Sequence, residues 1–303
     1  MGLSGETVER LRGAGVDGAA VARVVRAALD EDFGYGADVT SAATVAGLGV
    51  TAEVVAREAG VIAGIPVALA VLDLIAGYLG DVNGSSSPTA TVLVADGSRI
   101  GAGDAVLRVS GAAVAVLGAE RTMLNFLTHL SGIATATRAW ADAIAGTGAA
   151  VRDTRKTTPG LRALQKYAVR CGGGENHRMG LGDAALVKDN HVAAAGGVGA
   201  AVRAVRSAAA DGLVVEVECD SVAQVREALA AGARFLLLDN MPVGSLREAV
   251  TAARAYDGVL LEASGGLQLT NAREVALTGV DYLSVGALTH SSRALDLGLD
   301  FVR

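Results

Sequence analysis

Side chains that could bind anions recur just after the apolar runs in the second half of the chain. Arg155 and Lys156 follow one run and Lys188 follows the next, with Arg178 between them. Arginine recognises carboxylate or phosphate with two parallel hydrogen bonds, whereas lysine supplies a compact and mobile charge. Together these cations could surround a small, multiply charged anion.

Two carboxylates, Glu218 and Asp239, stand at the ends of later apolar runs. Two carboxylates that face one cavity suit Mg²⁺, with substrate phosphates completing the coordination. Glu216, on the same strand face as Glu218, could support the pair. The alternative interpretation is a set of internal salt bridges between these acids and the cations.

Glycine-rich segments follow two further runs. They are Ser264, Gly265 and Gly266, and then Val285, Gly286 and Ala287. Their unhindered backbone amides could form the phosphate site that late loops of α/β barrels often carry. Among the histidines, His177 after a glycine loop is the best candidate for substrate contact, and the absence of HxH and HExxH pairs argues against zinc.

Alternating strand and helix patterns from residue 149 onward place these residues. The expected strands are Ala149–Asp153, Ala184–Val187, Leu213–Val217, Phe235–Leu238, Val259–Glu262 and Tyr282–Val285. The expected helices between them are Gly160–Val169, Val198–Ala210, Ser221–Ala231, Val243–Ala255 and Asn271–Thr278. Repeated βα units with continuous apolar strands predict a parallel sheet, and six strands favour an α/β barrel whose active site lies at the strands' carboxyl ends. A doubly wound sheet is the alternative, but no GxGxxG follows the first strand.

Residues 1–145 have a different pattern, typical of an α+β sandwich. The expected elements are a helix over 21–32, strands Val50–Arg57, Thr91–Ala95 and Ala105–Val109, and a helix over Pro66–Gly77. A long helix over 112–145 should be interrupted near Ser131-Gly132. The apolar stretch Gly60–Gly80 fits a buried helix better than a membrane span.

Composition excludes several classes of protein. The 303 residues are 51% hydrophobic with a net charge of −6, which argues against disorder and against a polyanion-binding protein. Only 3 of the 26 basic residues are lysines, and residues 152–188 contain eight basic and three acidic residues, which indicates a small anionic ligand. The two cysteines and the N-terminus, which lacks an apolar signal segment, fit the cytoplasm.

The residues alone thus predict an enzyme whose substrates include a terminal phosphate, a Mg²⁺-bound polyphosphate and a second anion. Phosphoribosyl or phosphoryl transfer would use all three parts. Carboxylate-based aldol chemistry would use only two of them.

Several motifs resemble one known family. The run DTRKTTPGLRALQKYAVRCGGGENHRMGLGDAALVKDNH (Asp153–His191) resembles the signature of the quinolinate phosphoribosyltransferases, also called nicotinate-nucleotide pyrophosphorylases (carboxylating). ERTMLNFLTHLSGIATAT (120–137), EVECDS (216–221), LLLDNM (236–241), LEASGG (261–266) and TGVDYLSVGALTHS (278–291) agree with it. The resemblance covers about residues 20–303.

The resemblance implies the conversion of quinolinate and phosphoribosyl pyrophosphate, with Mg²⁺, to nicotinate mononucleotide, pyrophosphate and CO₂ in NAD synthesis. The implied quinolinate-binding cations are Arg155, His177, Arg178 and Lys188, joined by Arg121 from the neighbouring subunit of a homodimer, with a hexamer as the alternative assembly. Lys156, with Thr154, would lie near the pyrophosphate donor, and Glu218 and Asp239 would hold Mg²⁺ and the phosphoribosyl group. The implied 5′-phosphate loops are Ser264, Gly265 and Gly266, and Val285, Gly286 and Ala287, with His290 close by. Lys156, Lys188, Glu218 and Asp239 are expected to be the catalytic residues.

The implied fold is an N-terminal α/β sandwich of residues 1–126 joined by 290–303, with an open barrel of about seven βα units over 127–289. A seventh strand would then lie within 128–145 or 156–183. The expected location is the cytoplasm, with no nucleic-acid or membrane partner. Remaining alternatives are an enzyme for another pyridine acid such as nicotinate, a barrel aldolase or isomerase, and a catalytically silent binding subunit.

Overall fold

A computed structural model of the chain describes residues 2–79, 87–210 and 212–302. These residues pack as two compact units. The first takes the chain up to Ala136, the segment Thr158–Gly173 and the chain from Ser291; the second takes Thr137–Thr157 and Gly174–His290.

The helices are α1 (Gly5–Gly13), α2 (Gly18–Phe33), α3 (Val39–Thr44), α4 (Ile65–Ile75), α5 (Ala113–Ala143), α6 (Arg162–Cys171), α7 (Asp189–Ala195), α8 (Val198–Ala208), α9 (Val222–Ala230), α10 (Val243–Ala253), α11 (Ala272–Ala276) and α12 (Ala287–His290). The strands are β1 (Gly49–Ala56), β2 (Gly60–Val61), β3 (Thr89–Val92), β4 (Arg99–Ile100), β5 (Ala105–Ala112), β6 (Ala150–Arg152), β7 (Ala185–Val187), β8 (Val215–Cys219), β9 (Phe235–Asp239), β10 (Leu260–Ser264), β11 (Tyr282–Ser284) and β12 (Leu297–Phe301). Each element predicted from the sequence pattern is present, with ends that differ by at most three residues.

The first unit is built on an antiparallel sheet of order β12-β1-β5-β3. Its C-terminal strand β12 pairs with β1, and Arg57 on the one side forms an ion pair with Asp300 on the other at 2.6 Å. Helix α4 is almost wholly buried, and the Asp96 carboxylate accepts hydrogen bonds from the Gly64 and Ile65 amides at the start of that helix. The prediction of a buried helix here is confirmed, and none of the described helices has the length and apolar character of a membrane span.

Helix α5 runs without a break, so the predicted interruption near Ser131-Gly132 is wrong. The glycine serves close approach instead, because a Cβ on Gly132 would collide with the backbone carbonyl oxygen of Arg293. The adjoining Leu295 amide donates a 2.9 Å hydrogen bond to the Thr128 carbonyl on the same helix. Glycine in a helix interior thus marks a contact between backbones at this point.

The second unit contains a parallel sheet of order β6-β11-β10-β9-β8-β7. Its first strand pairs with its last, as in a barrel and unlike a doubly wound sheet. The described residues therefore confirm an open α/β barrel and a separate antiparallel sheet.

The expected seventh strand is reduced to a single residue. Glu175 forms an isolated parallel bridge with Arg152, through hydrogen bonds from the Glu175 amide to the Val151 carbonyl (2.7 Å) and from the Asp153 amide to the Glu175 carbonyl (3.1 Å). This bridge lies within the predicted range 156–183, whereas residues 128–143 are helical. The division at residues 126/127 remains a prediction about domains; as packing units, the structure groups α6 with the first sheet.

Candidate active site

The register of the parallel sheet aligns the strand ends that carry the predicted site. Arg152 pairs with Ser284, Ser284 with Ser264, and Ser264 with Asp239, so these four residues form one row across the sheet. Glu218 on β8 lies opposite Leu237, two residues before Asp239 on β9. Parallel strands therefore bring residues distant in sequence to one edge, as expected for the carboxyl ends of a barrel.

A cavity of about 450 Å³ opens at this edge. It is lined by Thr154, Arg155, Lys156, His177, Arg178, Leu186, Lys188, Glu218, Leu237, Asp239, Asn240, Glu262, Ser264, Gly265, Gly266 and Ser284. All of these residues belong to the second unit.

Two half-buried guanidinium groups, those of Arg155 and Arg178, face this cavity. Burial lowers the pKa of Arg178, and the positive charge of Arg155 lowers it further. The Nε atoms of both arginines are buried without a hydrogen-bond partner. Because unpaired buried donors and adjacent like charges are both unfavourable, the pair is suited to an anion that would satisfy them.

Two negatively charged side chains, those of Glu218 and Asp239, also lie near each other in the cavity. Burial raises the pKa of Glu218, the neighbouring carboxylate of Asp239 raises it further, and Lys188 acts in the other direction. A divalent cation would relieve this repulsion, and carboxylate oxygens are the ligands that Mg²⁺ prefers. Glu218 and Asp239 therefore fit the expected Mg²⁺.

Hydrogen bonds from buried groups hold the cationic loops in place. The Asp153 carboxylate accepts from the His177 amide (2.9 Å) and from the Asn176 side-chain amide (2.5 Å). The Lys156 amide donates to the Thr154 hydroxyl at 3.0 Å, which forms a tight turn directly after β6. The orientation of these loops is thus set by the end of β6.

The glycine loops come close to their neighbours. Gly265 has φ +81°, and a Cβ there would overlap the side-chain amide of Asn240. Asn240 itself has φ 53°, and among the described residues it is the non-glycine residue with a left-handed backbone. Gly286 faces Lys156 and His290, whose side chains lie within 3.0 and 3.4 Å of the position a Cβ would take. Glycine is therefore required at position 265, whereas at position 286 it leaves room for the Lys156 side chain.

A second group of acidic residues surrounds His177. Its Nε2 lies 3.0 Å from Glu216 Oε2 and 3.5 Å from Glu262 Oε1, while its Nδ1 accepts the Arg178 amide at 2.7 Å. A neutral imidazole whose Nδ1 accepts a hydrogen bond carries its proton on Nε2 and cannot coordinate a metal through that atom. These three side chains therefore do not fit a metal, although their ligand-type atoms lie within 4.8 Å of one another. Glu216 pairs with His177, and its expected support of the Glu218–Asp239 pair stays a prediction.

Most of the predicted site residues line one cavity. They are Thr154, Arg155, Lys156, His177, Arg178, Lys188, Glu218, Asp239, Ser264, Gly265 and Gly266. Val285, Gly286, Ala287 and His290 follow β11 and are not among the lining residues, although Gly286 lies next to Lys156 and His290. Arg121 and Lys166 belong to the first unit and are not part of the lining. Arg121 is exposed on α5, and Lys166 is fully buried on α6.

Sequence reasoning missed Glu262, Asn240 and Ser284 as lining residues. Glu262 lies within an apolar strand, and a charged residue inside such a run was the available signal. Asn240 follows Asp239 directly, and asparagine is the residue other than glycine that most readily adopts a left-handed backbone. Ser284 gives no comparable signal.

The chain matches known proteins over most of its length. The model of the C-terminal domain of quinolinate phosphoribosyl transferase matches residues 133–300, and that of the N-terminal domain matches residues 38–131. A "Nicotinate-nucleotide pyrophosphorylase [carboxylating]" of Mycobacterium leprae is 57% identical over 279 residues, covering 91% of this chain and 95% of its own. "Quinolinate phosphoribosyltransferase [decarboxylating] 2a, mitochondrial" of Nicotiana tabacum is 39% identical over 91% of this chain and 80% of its own.

The fold agrees with these matches. The solved structure of the nicotinate-nucleotide pyrophosphorylase from Francisella tularensis superposes with a TM-score of 0.87, at 38% identity, covering 95% of this chain and 98% of its own. Models of both domains of one family therefore match the chain that contains this row of strand ends and this cavity. The chain belongs to the quinolinate phosphoribosyl transferase family.

Proposed function

We propose that the chain transfers the phosphoribosyl group of phosphoribosyl pyrophosphate to quinolinate, with decarboxylation, as a step of NAD synthesis in the cytoplasm. The products are nicotinate mononucleotide, pyrophosphate and CO₂. One observation carries the proposal: a single cavity contains two cations of like charge, Arg155 and Arg178, and two carboxylates of like charge, Glu218 and Asp239. An anionic acceptor and a Mg²⁺-bound donor would neutralise both pairs.

The acceptor would be held by its two carboxylates. Arg155, Arg178 and Lys188 supply the positive charge, and His177 belongs to the same part of the cavity. The guanidinium Nε atoms that lack a partner would donate to carboxylate oxygens. Two carboxylates match these cations better than the single carboxylate of nicotinate does.

The donor would be held at both ends. Ser264, Gly265 and Gly266, with Val285, Gly286 and Ala287, would bind its 5′-phosphate through backbone amides, with His290 close by. Lys156 would lie beside the pyrophosphate, and its backbone is fixed by the Thr289 hydroxyl, which donates to the Lys156 carbonyl at 2.8 Å. Glu218 and Asp239 would hold Mg²⁺, and the metal would supply positive charge for the pyrophosphate group.

The reaction would proceed in two stages. The ring nitrogen of quinolinate forms a bond to C1 of the ribose while the bond from C1 to the pyrophosphate oxygen breaks, and Glu218 and Asp239 stabilise the positive charge that develops on the ribose. The bond from C2 to its carboxylate then breaks, the pyridinium ring accepts the electron pair, and C2 takes up a proton.

The test is release of pyrophosphate and CO₂ from quinolinate plus phosphoribosyl pyrophosphate, with nicotinate as the control acceptor. Lys156→Ala and Lys188→Ala should each lower turnover roughly 100-fold or more while the protein stays folded, because each removes a preorganised charge. Near-normal turnover of both variants would contradict the assignment. Release with nicotinate but not with quinolinate would assign a different substrate.

We further propose a homodimer, with a hexamer as the alternative, in which Arg121 reaches the neighbouring subunit's quinolinate. Arg121 is solvent-exposed on α5, as such a role requires. Mixing Arg121→Ala subunits with Lys188→Ala subunits should restore activity, because every dimer that contains one subunit of each kind would have one intact site. No recovery after confirmed subunit exchange would show that each site is self-contained.

A further inference from the structure

Four buried or half-buried side chains of the second unit form a network, and the proposed mechanism assigns a role only to His177 among them. They are Arg152 on β6, His177 in the loop before β7, Glu216 on β8 and Glu262 on β10, and they are called here the buried network. Arg152 donates to Glu262 Oε2 at 2.6 Å and to the Asn176 carbonyl at 3.3 Å. His177 Nε2 bridges toward both carboxylates, at 3.0 and 3.5 Å.

The buried network is poorly suited to a purely stabilising role. Glu216 is 2% exposed and Glu262 is fully buried. Desolvation of such carboxylates offsets most of the attraction to Arg152 and His177. We therefore ask which functional side chain the buried network orients.

The oriented group is the imidazole ring of His177. The Asp153 carboxylate fixes its backbone, and Glu216 lies opposite its Nε2. Nδ1 is then directed at the Arg178 amide, which donates to it at 2.7 Å. Carboxylates commonly select the tautomer and the orientation of a functional histidine in this way.

Arg178 thereby depends on the ring for its position. Its amide is bound to Nδ1 of His177, and its Nη1 donates to the Ala184 carbonyl at 2.9 Å. Its Nε is buried without a partner in the part of the cavity that faces Arg155. Arg178 is thus held at two points, its backbone amide and its Nη1, and its buried Nε remains available to a ligand.

We propose that Glu216 and Glu262, aligned by Arg152, are positioning residues that hold His177 in its Nε2–H form, and that this ring sets Arg178 for a substrate carboxylate. The identity of that carboxylate rests on the proposed function. His177 then acts as a neutral hydrogen-bonding group, and not as the cation that the family resemblance implies.

The first test observes the tautomer directly, by two-dimensional ¹⁵N–¹H NMR of the histidine rings at pH 7.5. The chain has four histidines, so comparison with a His177→Asn variant identifies the ring of interest. The expected pattern is a protonated Nε2 and an unprotonated Nδ1. An imidazolium pattern, or a proton on Nδ1, would overturn the proposal.

The second test separates the two sides of the ring. His177→Asn keeps an acceptor near the Nδ1 position for the Arg178 amide, whereas His177→Gln keeps a donor near the Nε2 position for Glu216. If the ring acts by positioning Arg178, His177→Asn should retain the lower KM for quinolinate, by about fivefold, the value of one hydrogen bond. Equal KM values, or the reverse order, would contradict the proposal.

A matched pair of glutamate variants completes the design. Glu216→Gln should raise the KM for quinolinate about five- to tenfold and change the KM for phosphoribosyl pyrophosphate less than twofold, because the charge opposite Nε2 is lost. Glu274→Gln, at an exposed position on α11, is the control and should change neither. An equal rise in both KM values, or no rise in either, would refute the positioning role. A wild-type protein inactive on quinolinate would refute the proposed function, while the NMR pattern would still decide the tautomer.

Discussion

The approach of Gly265 to Asn240 permits a sharp test of the glycine loop. Replacing Gly265 by alanine puts a Cβ where the Asn240 side-chain amide now lies. That amide donates to Asp239 Oδ2 at 2.7 Å, and the Asn240 backbone amide donates to the Ser264 carbonyl at 2.8 Å. The substitution should therefore disturb both a candidate Mg²⁺ ligand and the candidate phosphate loop.

The magnitude follows from two contributions. Alanine at φ +81° costs about 1–2 kcal/mol, because a Cβ is crowded in the left-handed region. Moving the Asn240 amide aside breaks an exposed hydrogen bond, which adds about 0.5–1.5 kcal/mol. Gly258→Ala is the matched control: its φ is +69° and nothing lies within 4 Å of its Cβ position, so it incurs the first contribution alone.

The assay combines urea unfolding with steady-state kinetics. The free energy of unfolding of Gly265→Ala should fall by about 0.5–1.5 kcal/mol more than that of Gly258→Ala, which is the difference between the two contributions. Only Gly265→Ala should raise the KM for phosphoribosyl pyrophosphate. Equal losses of stability in the two variants, or an unchanged KM in Gly265→Ala, would refute the reasoning.

Three further outcomes are expected. Gly132→Ala should lower the free energy of unfolding by about 1–3 kcal/mol, because the new Cβ collides with a backbone carbonyl. Gly244→Ala, at a helical position with open space around it, should raise the free energy of unfolding by up to about 1 kcal/mol. Urea titration of the two variants distinguishes these opposite changes. Burial raises the pKa of Cys171 and of Cys219 to about 12. Thiol labelling of the native protein at pH 8 should therefore be roughly a thousandfold slower than labelling of a free cysteine. Rapid labelling would contradict the buried environment of these thiols. Burial and a neighbouring carboxylate raise the pKa of Glu262 to about 6, so the folded state binds its proton more tightly than the unfolded state does. Stability should therefore fall as the pH rises from 4.5 through 6, and a Glu262→Gln variant with an equally steep fall would contradict this cause.

Periodicity sufficed for the order of elements because the parallel strands are apolar and the turns between them are marked by glycine and polar residues. It also located the cations and carboxylates after the strands, since a parallel sheet brings all such positions to one edge. Periodicity failed at Gly132. A glycine that lets another backbone segment approach a helix has the same local sequence pattern as a glycine that interrupts the helix. A contact with Arg293, far along the chain, decides between the two.

The interior of the site was less accessible to sequence reasoning. Glu216 and Glu218 lie on the same strand face, and spacing alone does not tell which partner each one meets. Glu216 is directed to His177, whereas Glu218 lines the cavity. Such partners are set by the packing of several strands, which local patterns do not encode.

The position of β12 in the first sheet has a consequence for how the chain is made. Its partner β1 lies more than 240 residues earlier, as the Arg57–Asp300 pair illustrates. During synthesis, therefore, one edge of β1 stays open until the last strand has left the ribosome, and open strand edges invite aggregation. The ordering of such distant partners also slows folding, because the intervening chain must close first. Loss of β12, even with the whole barrel intact, should therefore leave a protein that is made but accumulates in insoluble form.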